Sequence, residues 1–184
     1  DHIGELAFLA DNVMTARAEA LKIWAPEPVL AQVRQHLFND QLWQDFSRIC
    51  LGNHPVIEFC PLEAAAPLVL DGLTIRWART SHPVFSAGYL VEDAQWAFLY
   101  TGDTGPTEAI WALAGQTAKL CAVFVETAFP DRLRELAMAS GHLTPALLCD
   151  ELEKLPAPDA VINIMHVKQI YQEEIARELQ SLQR

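Results

Sequence analysis

The stretch that decides the fold is AFLYTGDTGPTEAIWALAGQTAKLCAVFVE, residues 97–126. It begins with an apolar strand pattern that ends at Asp103 and continues with a helix that we expect to begin at Pro106. It closes with a continuous apolar run at residues 120–126, which is typical of a strand buried on both faces. A strand, a helix and a second strand in this order favour α/β architecture.

The flanking sequence modifies this α/β pattern. Residues 68–80 predict a hairpin that turns at Asp71-Gly72, and residues 86–103 predict two more strands joined by a turn. AVINIMH at residues 160–166 predicts another buried strand, after a helix capped by Thr144. Because hairpins interrupt the alternation of strands and helices, we expect α/β layers with a mixed sheet.

Length, charge and cysteine content set limits on the classes of function. The 184 residues suit a single domain, residues 1–184, and no apolar run is long enough to span a membrane. A net charge of −11 argues against nucleic acid as a partner, because a phosphate backbone is bound by clustered lysine and arginine. Cys121 and Cys149 sit in apolar patterns and are expected in the core. Without a disulfide framework we expect a reducing, cytoplasmic location.

Four potential metal ligands share a position in the predicted fold. They lie at strand ends or in the loops just beyond them: His82, Asp103, His142 and His166. Rigid sheets collect catalytic groups in such loops, and imidazole and carboxylate are the usual ligands of zinc and similar ions. His36 and His54 are interpreted as ordinary helix-face and loop residues.

Several segments, taken together, resemble one known family. They are DH at residues 1–2, FNDQLWQDF at 38–46, SHPVFSAGY at 81–89, LYTGDTGPTE at 99–108, VETAFP at 125–130, SGHLTP at 140–145 and MHVK at 165–168. The opening DH is similar to the end of the HxHxDH motif of metallo-β-lactamase-fold hydrolases. The other segments resemble the branch of class II 3′,5′-cyclic nucleotide phosphodiesterases. The resemblance implies a four-layer αββα sandwich with mixed sheets, whose first strands and first two motif histidines would precede Asp1.

The resemblance also implies a role for each ligand. Asp1, His2 and His166 would hold one divalent ion, His82 would hold a second together with the two preceding histidines, and Asp103 would bridge both. The cofactors implied are two divalent metal ions, zinc first, with manganese or iron as alternatives. By this count the present chain retains four ligands for one ion and two for the other, so that one ion is expected to bind and a pair is not.

Three further residues complete the implied site. His142 would lie beside the substrate phosphate and stabilise charge or protonate the leaving 3′-oxygen. Glu126 would pair with His142 and orient its ring, and Lys168 would add a positive charge near the phosphate or remain a solvated surface residue. The implied activity is hydrolysis of cyclic AMP or cyclic GMP, a small-molecule substrate, by a homodimeric enzyme.

Three alternatives remain open at this stage. One is a ribonuclease Z-like tRNA 3′-processing enzyme, although only 20 residues separate His82 from Asp103, which leaves room for a hairpin and no RNA-binding arm. The second is a truncated, non-catalytic remnant of the fold. The third is another small-molecule hydrolase, such as a lactonase or thioesterase, since fold alone does not fix the substrate.

Overall fold

The computed structural model describes residues 2–182 and divides the chain into two compact units, residues 1–63 and 64–184. The first unit begins with helix α1 (Leu6–Val13), strand β1 (Leu21–Ala25) and helix α2 (Glu27–Gln32), which continues as a π-helical turn (Val33–Leu37). Its remaining strands are β2 (Cys50–Leu51), β3 (His54–Pro55) and β4 (Ile57–Pro61). The prediction of a single domain over residues 1–184 stays a prediction.

The first unit is organised around one parallel strand pair. β1 and β4 pair from Leu21 with Ile57 to Ala25 with Pro61, while β2 and β3 form a short antiparallel pair. Buried side chains from α1, the π-helical turn, the following loop and the start of β4 pack together in this unit: Ala7, Ala10, Val33, Phe38, Phe46, Val56 and Ile57. The unit therefore has an apolar core of its own.

The second unit is built on a six-stranded mixed sheet. Its strands are β5 (Leu68–Leu70), β6 (Leu73–Arg79), β7 (Ala87–Glu92), β8 (Ala97–Tyr100), β9 (Leu120–Glu126) and β10 (Val161–Met165), in the order β10-β9-β8-β7-β6-β5. β5 to β8 pair antiparallel, whereas β8, β9 and β10 run parallel. The predicted α/β fold with a mixed sheet is confirmed, and the hairpin at Asp71-Gly72 lies where the sequence placed it.

One face of this sheet is covered by helices α3 (Ala109–Ala114), α5 (Pro145–Leu152) and α6 (Gln172–Leu182). Helix α4 (Arg134–Ser140) contributes Ala137 to a separate small cluster with Ala128 and Phe129. Leu90, Leu99 and Val123 on adjacent strands are fully buried and belong to one core with side chains of α3 and α5. Thr144 accepts a hydrogen bond from the Leu147 N–H and so caps α5, as predicted.

Two predictions about this sheet were wrong. β9 and β10 are not buried on both faces, because Phe124 is 37% exposed and Val161 is 62% exposed. Cys121 is also exposed and does not belong to the core, because it lies at an irregularity in the pairing of β8 with β9. Side chains alternate between the two faces of a strand, and only the set that includes Val123 packs beneath the helices. The apolar runs of β9 and β10 therefore predicted more burial than these strands have.

Helix α3 begins at Ala109, three residues later than predicted at Pro106. The intervening segment is held by a buried carboxylate, since Glu151 accepts hydrogen bonds from the Thr107 N–H and the Trp111 Nε1–H. The first N–H groups of a helix have no acceptor within the helix, and the carboxylate supplies one to a residue just ahead of α3.

Within residues 2–182, no helix combines the length and the apolar character needed to cross a membrane.

Candidate metal centre

The predicted ligands collect at one edge of the second unit's sheet. β8, β9 and β10 are parallel, so their carboxyl ends meet at this edge. Asp103 follows β8, Glu126 is the last residue of β9, and His166 follows β10 directly. Topology therefore brings together three residues that lie far apart in the sequence.

The loop after β6 brings His82 to the same edge. Three hydrogen bonds join this loop to the segment around Asp103. The Thr80 hydroxyl donates to the Asp103 carbonyl at 2.8 Å, and the Ser81 N–H donates to the Thr104 hydroxyl at 3.1 Å. The Gly105 N–H donates to the Ser81 carbonyl at 2.8 Å. These contacts fix the position of one ligand loop relative to the other.

The donor atoms lie close enough for one ion. One ligand atom each from His82, Asp103 and His142 lies within 4.8 Å of the others, and His166 Nε2 is 3.7 Å from an Asp103 carboxylate oxygen. Two ligands about 2.1 Å from a shared ion lie at most about 4.2 Å apart, so small side-chain adjustments suffice. A set of imidazoles with one carboxylate fits zinc and similar divalent ions.

The three imidazoles form a continuous group of rings. The ring centroids of His82 and His142 are 5.3 Å apart, edge to face, and those of His142 and His166 are also 5.3 Å apart, nearly parallel. His142 thus lies between the other two histidines. From this position it can serve either as a third imidazole ligand or as a proton carrier beside the ion.

Hydrogen bonding selects the nitrogen that each ring offers. His82 Nδ1 lies 3.1 Å from the Val84 carbonyl oxygen, and a carbonyl only accepts, so Nδ1 carries the proton. The lone pair of His82 is then on Nε2, which is the arrangement usual for a metal-ligating histidine with a backbone partner. The Ser86 hydroxyl, 3.5 Å from Nδ1, adds a weak contact.

Glu126 and His142 form a densely hydrogen-bonded pair at the site. Glu126 is fully buried, and its Oε1 accepts from His142 Nδ1 at 2.7 Å and from the Thr104 N–H at 3.1 Å. Its Oε2 accepts from the Ala128 N–H at 3.1 Å and from the Leu143 N–H at 3.2 Å. One carboxylate therefore orients His142 and holds together three loops at the sheet edge.

Two further features of the site are the backbone conformation of His166 and the pKa of the neighbouring Tyr100. His166 has a positive φ of 56°, a left-handed conformation that costs a residue with a Cβ about 1 kcal/mol or more. The pKa of Tyr100 is raised, mainly by burial and secondarily by the negative charge of Asp103. The strained backbone places the His166 ring beside Asp103 and His142, and the phenol stays neutral next to the carboxylate.

Comparison with protein families identifies the chain. The family model described as the β-lactamase superfamily domain matches residues 1–166, most of the chain. The chain belongs to this family. A comparison with curated proteins finds no significant match.

Solved structures share the fold of this β-lactamase superfamily domain. The structure of unliganded yeast PDE1 is 19% identical, with a TM-score of 0.83 over 99% of this chain and 60% of the yeast chain. The metallo-β-lactamase fold protein YhfI from Bacillus subtilis is 15% identical, with a TM-score of 0.74 over 98% and 66% of the respective chains. Human tRNase Z, short form, is 14% identical, with a TM-score of 0.64 over 90% and 68%. The present chain thus spans about 60% of the length of yeast PDE1.

The β-lactamase superfamily domain brings together five of the predicted site residues: His82, Asp103, Glu126, His142 and His166. His2 is exposed in the turn ahead of α1, in the first unit, and its role as a ligand stays a prediction. Asp1 lies outside the described residues. His36 and His54, interpreted as ordinary residues, also belong to the first unit.

One residue of the site escaped the sequence analysis. This residue is Phe129, whose ring centroid is 5.7 Å from that of His142. The Lys168 ammonium lies 5.0 Å from the centroid of the same Phe129 ring. The sequence signal was an aromatic residue three positions after the buried Glu126, within a segment already recognised as similar to the family. Lys168 is thus linked to the site through Phe129.

Proposed function

We propose that this chain carries the metal site of a phosphodiesterase that hydrolyses 3′,5′-cyclic nucleotides to 5′-nucleotides with divalent metal ions, zinc first. A cytoplasmic homodimer belongs to the same proposal. The observation that carries it is the buried Glu126–His142 pair, 2.7 Å apart, beside an Asp103 and His82 donor set. The segments that resemble class II cyclic nucleotide phosphodiesterases and the fold shared with yeast PDE1 support the choice of substrate.

The reaction requires that a water oxygen attack phosphorus while the bond from phosphorus to the 3′-oxygen breaks. Divalent ions held by His82, Asp103 and His166 would lower the pKa of a water and neutralise phosphate oxygens. The leaving 3′-oxygen must gain a proton. His142 can supply it from Nε2, because Nδ1 is engaged by Glu126.

Glu126 contributes to this step by position and charge. Its carboxylate accepts from His142 Nδ1 and thereby fixes the ring orientation, which leaves Nε2 as the nitrogen that can exchange a proton. Lys168, over the Phe129 ring, adds a positive charge on the same side of the site as His142. The positive charge of Lys168 would stabilise the negative charge of a phosphate in the transition state.

The segment between His82 and Asp103 argues against the tRNA alternative. After a short loop at residues 83–86 it consists mainly of strands β7 and β8 and the turn between them, with β7 paired to both β6 and β8 inside the sheet. A hairpin that is fully used as sheet leaves no projecting arm in this segment. With a net charge of −11, the chain also lacks the excess of basic residues that RNA binding needs.

Hydrolysis assays on the metal-loaded protein test the proposal, using the chain together with any coding sequence that precedes Asp1. We expect turnover of cyclic AMP or cyclic GMP, and a loss of about 10²–10⁴-fold for His142→Gln with its metal content unchanged. His82→Gln should lose metal, and His54→Gln should match the wild type. A metal-loaded protein that leaves both cyclic nucleotides intact would overturn the proposal, and cleavage of a tRNA precursor would favour the alternative.

A further inference from the structure

A cleft in the second unit adjoins the metal centre. It has a volume of about 380 Å³, and its lining includes Arg79, His82, Pro83, Met138 and Gly141. This volume is at the lower end of the range of small-molecule sites, which is about 300–1,000 Å³. Because His82 is also a candidate metal ligand, a substrate whose phosphate lies at the metal site could place its remaining part in the cleft.

Gly141 forms the close join between the cleft's two walls. It ends α4 with a φ of +72°, and a Cβ there would meet Pro83 Cδ at 2.6 Å and His82 Cα at 3.0 Å. A larger residue would therefore push the end of α4 away from the His82 loop. The glycine keeps Met138, near the end of α4, on the same cleft as His82 and Arg79.

Arg79 supplies the charge of this cleft. Its guanidinium lies 5.1 Å from the Phe85 ring centroid, and the side chain is exposed. The basic residues that form ion pairs with carboxylates in the described part of the chain are Arg34, Arg48, Arg76, Arg132, Lys119 and Lys154. Arg79 is held by an aromatic ring instead, which leaves its N–H groups available to a ligand.

We propose that this cleft binds the purine base of a cyclic nucleotide and that Arg79 makes it prefer guanine to adenine. The inference rests on the proposed function and names the substrate within it. Guanine presents two adjacent acceptors, O6 and N7, which match the paired donors of one guanidinium. Adenine presents N7 beside an amino donor, so one of the two hydrogen bonds is lost. The Met138 side chain provides an adaptable apolar contact for the base.

Calorimetric titration of the EDTA-treated protein with cyclic GMP and cyclic AMP, and the ratio of their KM values on the Zn²⁺-loaded protein, test this inference. We expect cyclic GMP to bind about tenfold more tightly than cyclic AMP under both conditions. Arg79→Gln and Arg79→Lys should both bring the ratio close to one, because lysine keeps the charge but not the paired donors. Met138→Ala should weaken both nucleotides by a similar factor. Arg177→Gln is the control, since Arg177 is exposed and donates to the Glu173 carbonyl of its own helix.

The outcomes separate this inference from the proposed function. Equal affinity for the two nucleotides in the wild type, a preference retained by Arg79→Lys, or unchanged binding by Met138→Ala would each overturn the inference. Hydrolysis of both cyclic nucleotides would then still support the proposed function. If neither nucleotide is bound or hydrolysed under any condition, both proposals fail. Circular dichroism of each variant checks that the fold is retained.

Discussion

Replacing Glu126 with glutamine leaves the shape of the side chain nearly unchanged and removes an acceptor from a fully buried site. Four donors converge on the carboxylate, two on each oxygen. A carboxylate satisfies all four, because both oxygens only accept. An amide has one oxygen and one NH₂ group, and that NH₂ group must face two donors in either orientation.

The two orientations have different consequences. If the NH₂ group replaces Oε2, the N–H groups of Ala128 and Leu143 lose their acceptor. If it replaces Oε1, the Thr104 N–H loses its acceptor, and His142 must move its proton from Nδ1 to Nε2 to accept from the amide. A buried donor without a partner costs about 1–3 kcal/mol. The first orientation therefore costs about 2–6 kcal/mol and the second about 1–3 kcal/mol.

The second orientation is cheaper, so we expect Glu126→Gln to lower the free energy of unfolding by about 2 kcal/mol. For a chain of this size the melting temperature should fall by about 4–8 °C. We also expect the His142 proton on Nε2 in the variant. A ring protonated on Nε2 cannot use that nitrogen as a metal ligand or as an acceptor. Urea unfolding followed by circular dichroism measures the first effect, and long-range ¹H–¹⁵N NMR of the histidine rings measures the second.

Glu135→Gln is the matched control, because Glu135 is exposed on α4. The same change in charge there should shift the unfolding free energy by no more than about 0.5 kcal/mol. If Glu126→Gln unfolds as the control does and keeps the His142 proton on Nδ1, Glu126 does not organise the site.

Three further predictions concern the metal, the sheet and the half-buried phenol of Tyr100. Zn²⁺ at about 100 times its dissociation constant should stabilise the chain by about 2.7 kcal/mol, and thermal melts should show a smaller gain for Asp103→Asn but not for His54→Gln. Gly88→Ala should destabilise by about 1–3 kcal/mol in urea unfolding, because its Cβ would lie 2.5 Å from a methyl carbon of α3 and 2.8 Å from backbone. Gly115→Ala, with ordinary 3.5 Å contacts, should be nearly neutral. Asp103→Asn should lower the raised pKa of Tyr100, while burial keeps that pKa above its usual value. The stability that the neutral phenol contributes is lost as pH rises through the folded-state pKa. A ¹³C NMR titration of Tyr100 in the wild type and the variant measures the two pKa values.

The sequence predicted those elements whose signals are local. The period-two pattern of β6 and the Asp71-Gly72 turn define the hairpin with β5 without help from distant residues. The start of α3 was predicted three residues too early, and the hydrogen bond from the Thr107 N–H to Glu151, across 44 positions of sequence, has no local sequence signal. The exposure of Phe124 was missed for a related reason, since the burial of a sheet face depends on which elements cover it.

Some features of the candidate site could likewise be predicted from local sequence signals, and others could not. His82, Asp103 and His166 could be predicted, because parallel strands bring their carboxyl ends to one edge and these residues follow strand patterns. The positive φ of His166 could not be predicted, since nothing about a histidine after a strand requires it. Likewise, the contact of Lys168 with Phe129 joins residues 39 positions apart and depends on the packing of two loops.

The aromatic partners of Arg79 and Lys168 give the site a charge that the composition would not suggest. The chain has 24 acidic and 13 basic residues, yet these two cations near the histidines lie over the rings of Phe85 and Phe129. A carboxylate partner would neutralise each cation, whereas a ring holds it by about 0.5–1 kcal/mol and leaves the net charge in place. Both cations can therefore attract an anion to the metal centre of an otherwise acidic protein. A phosphate ester meets that requirement, and a neutral lactone would gain nothing from it.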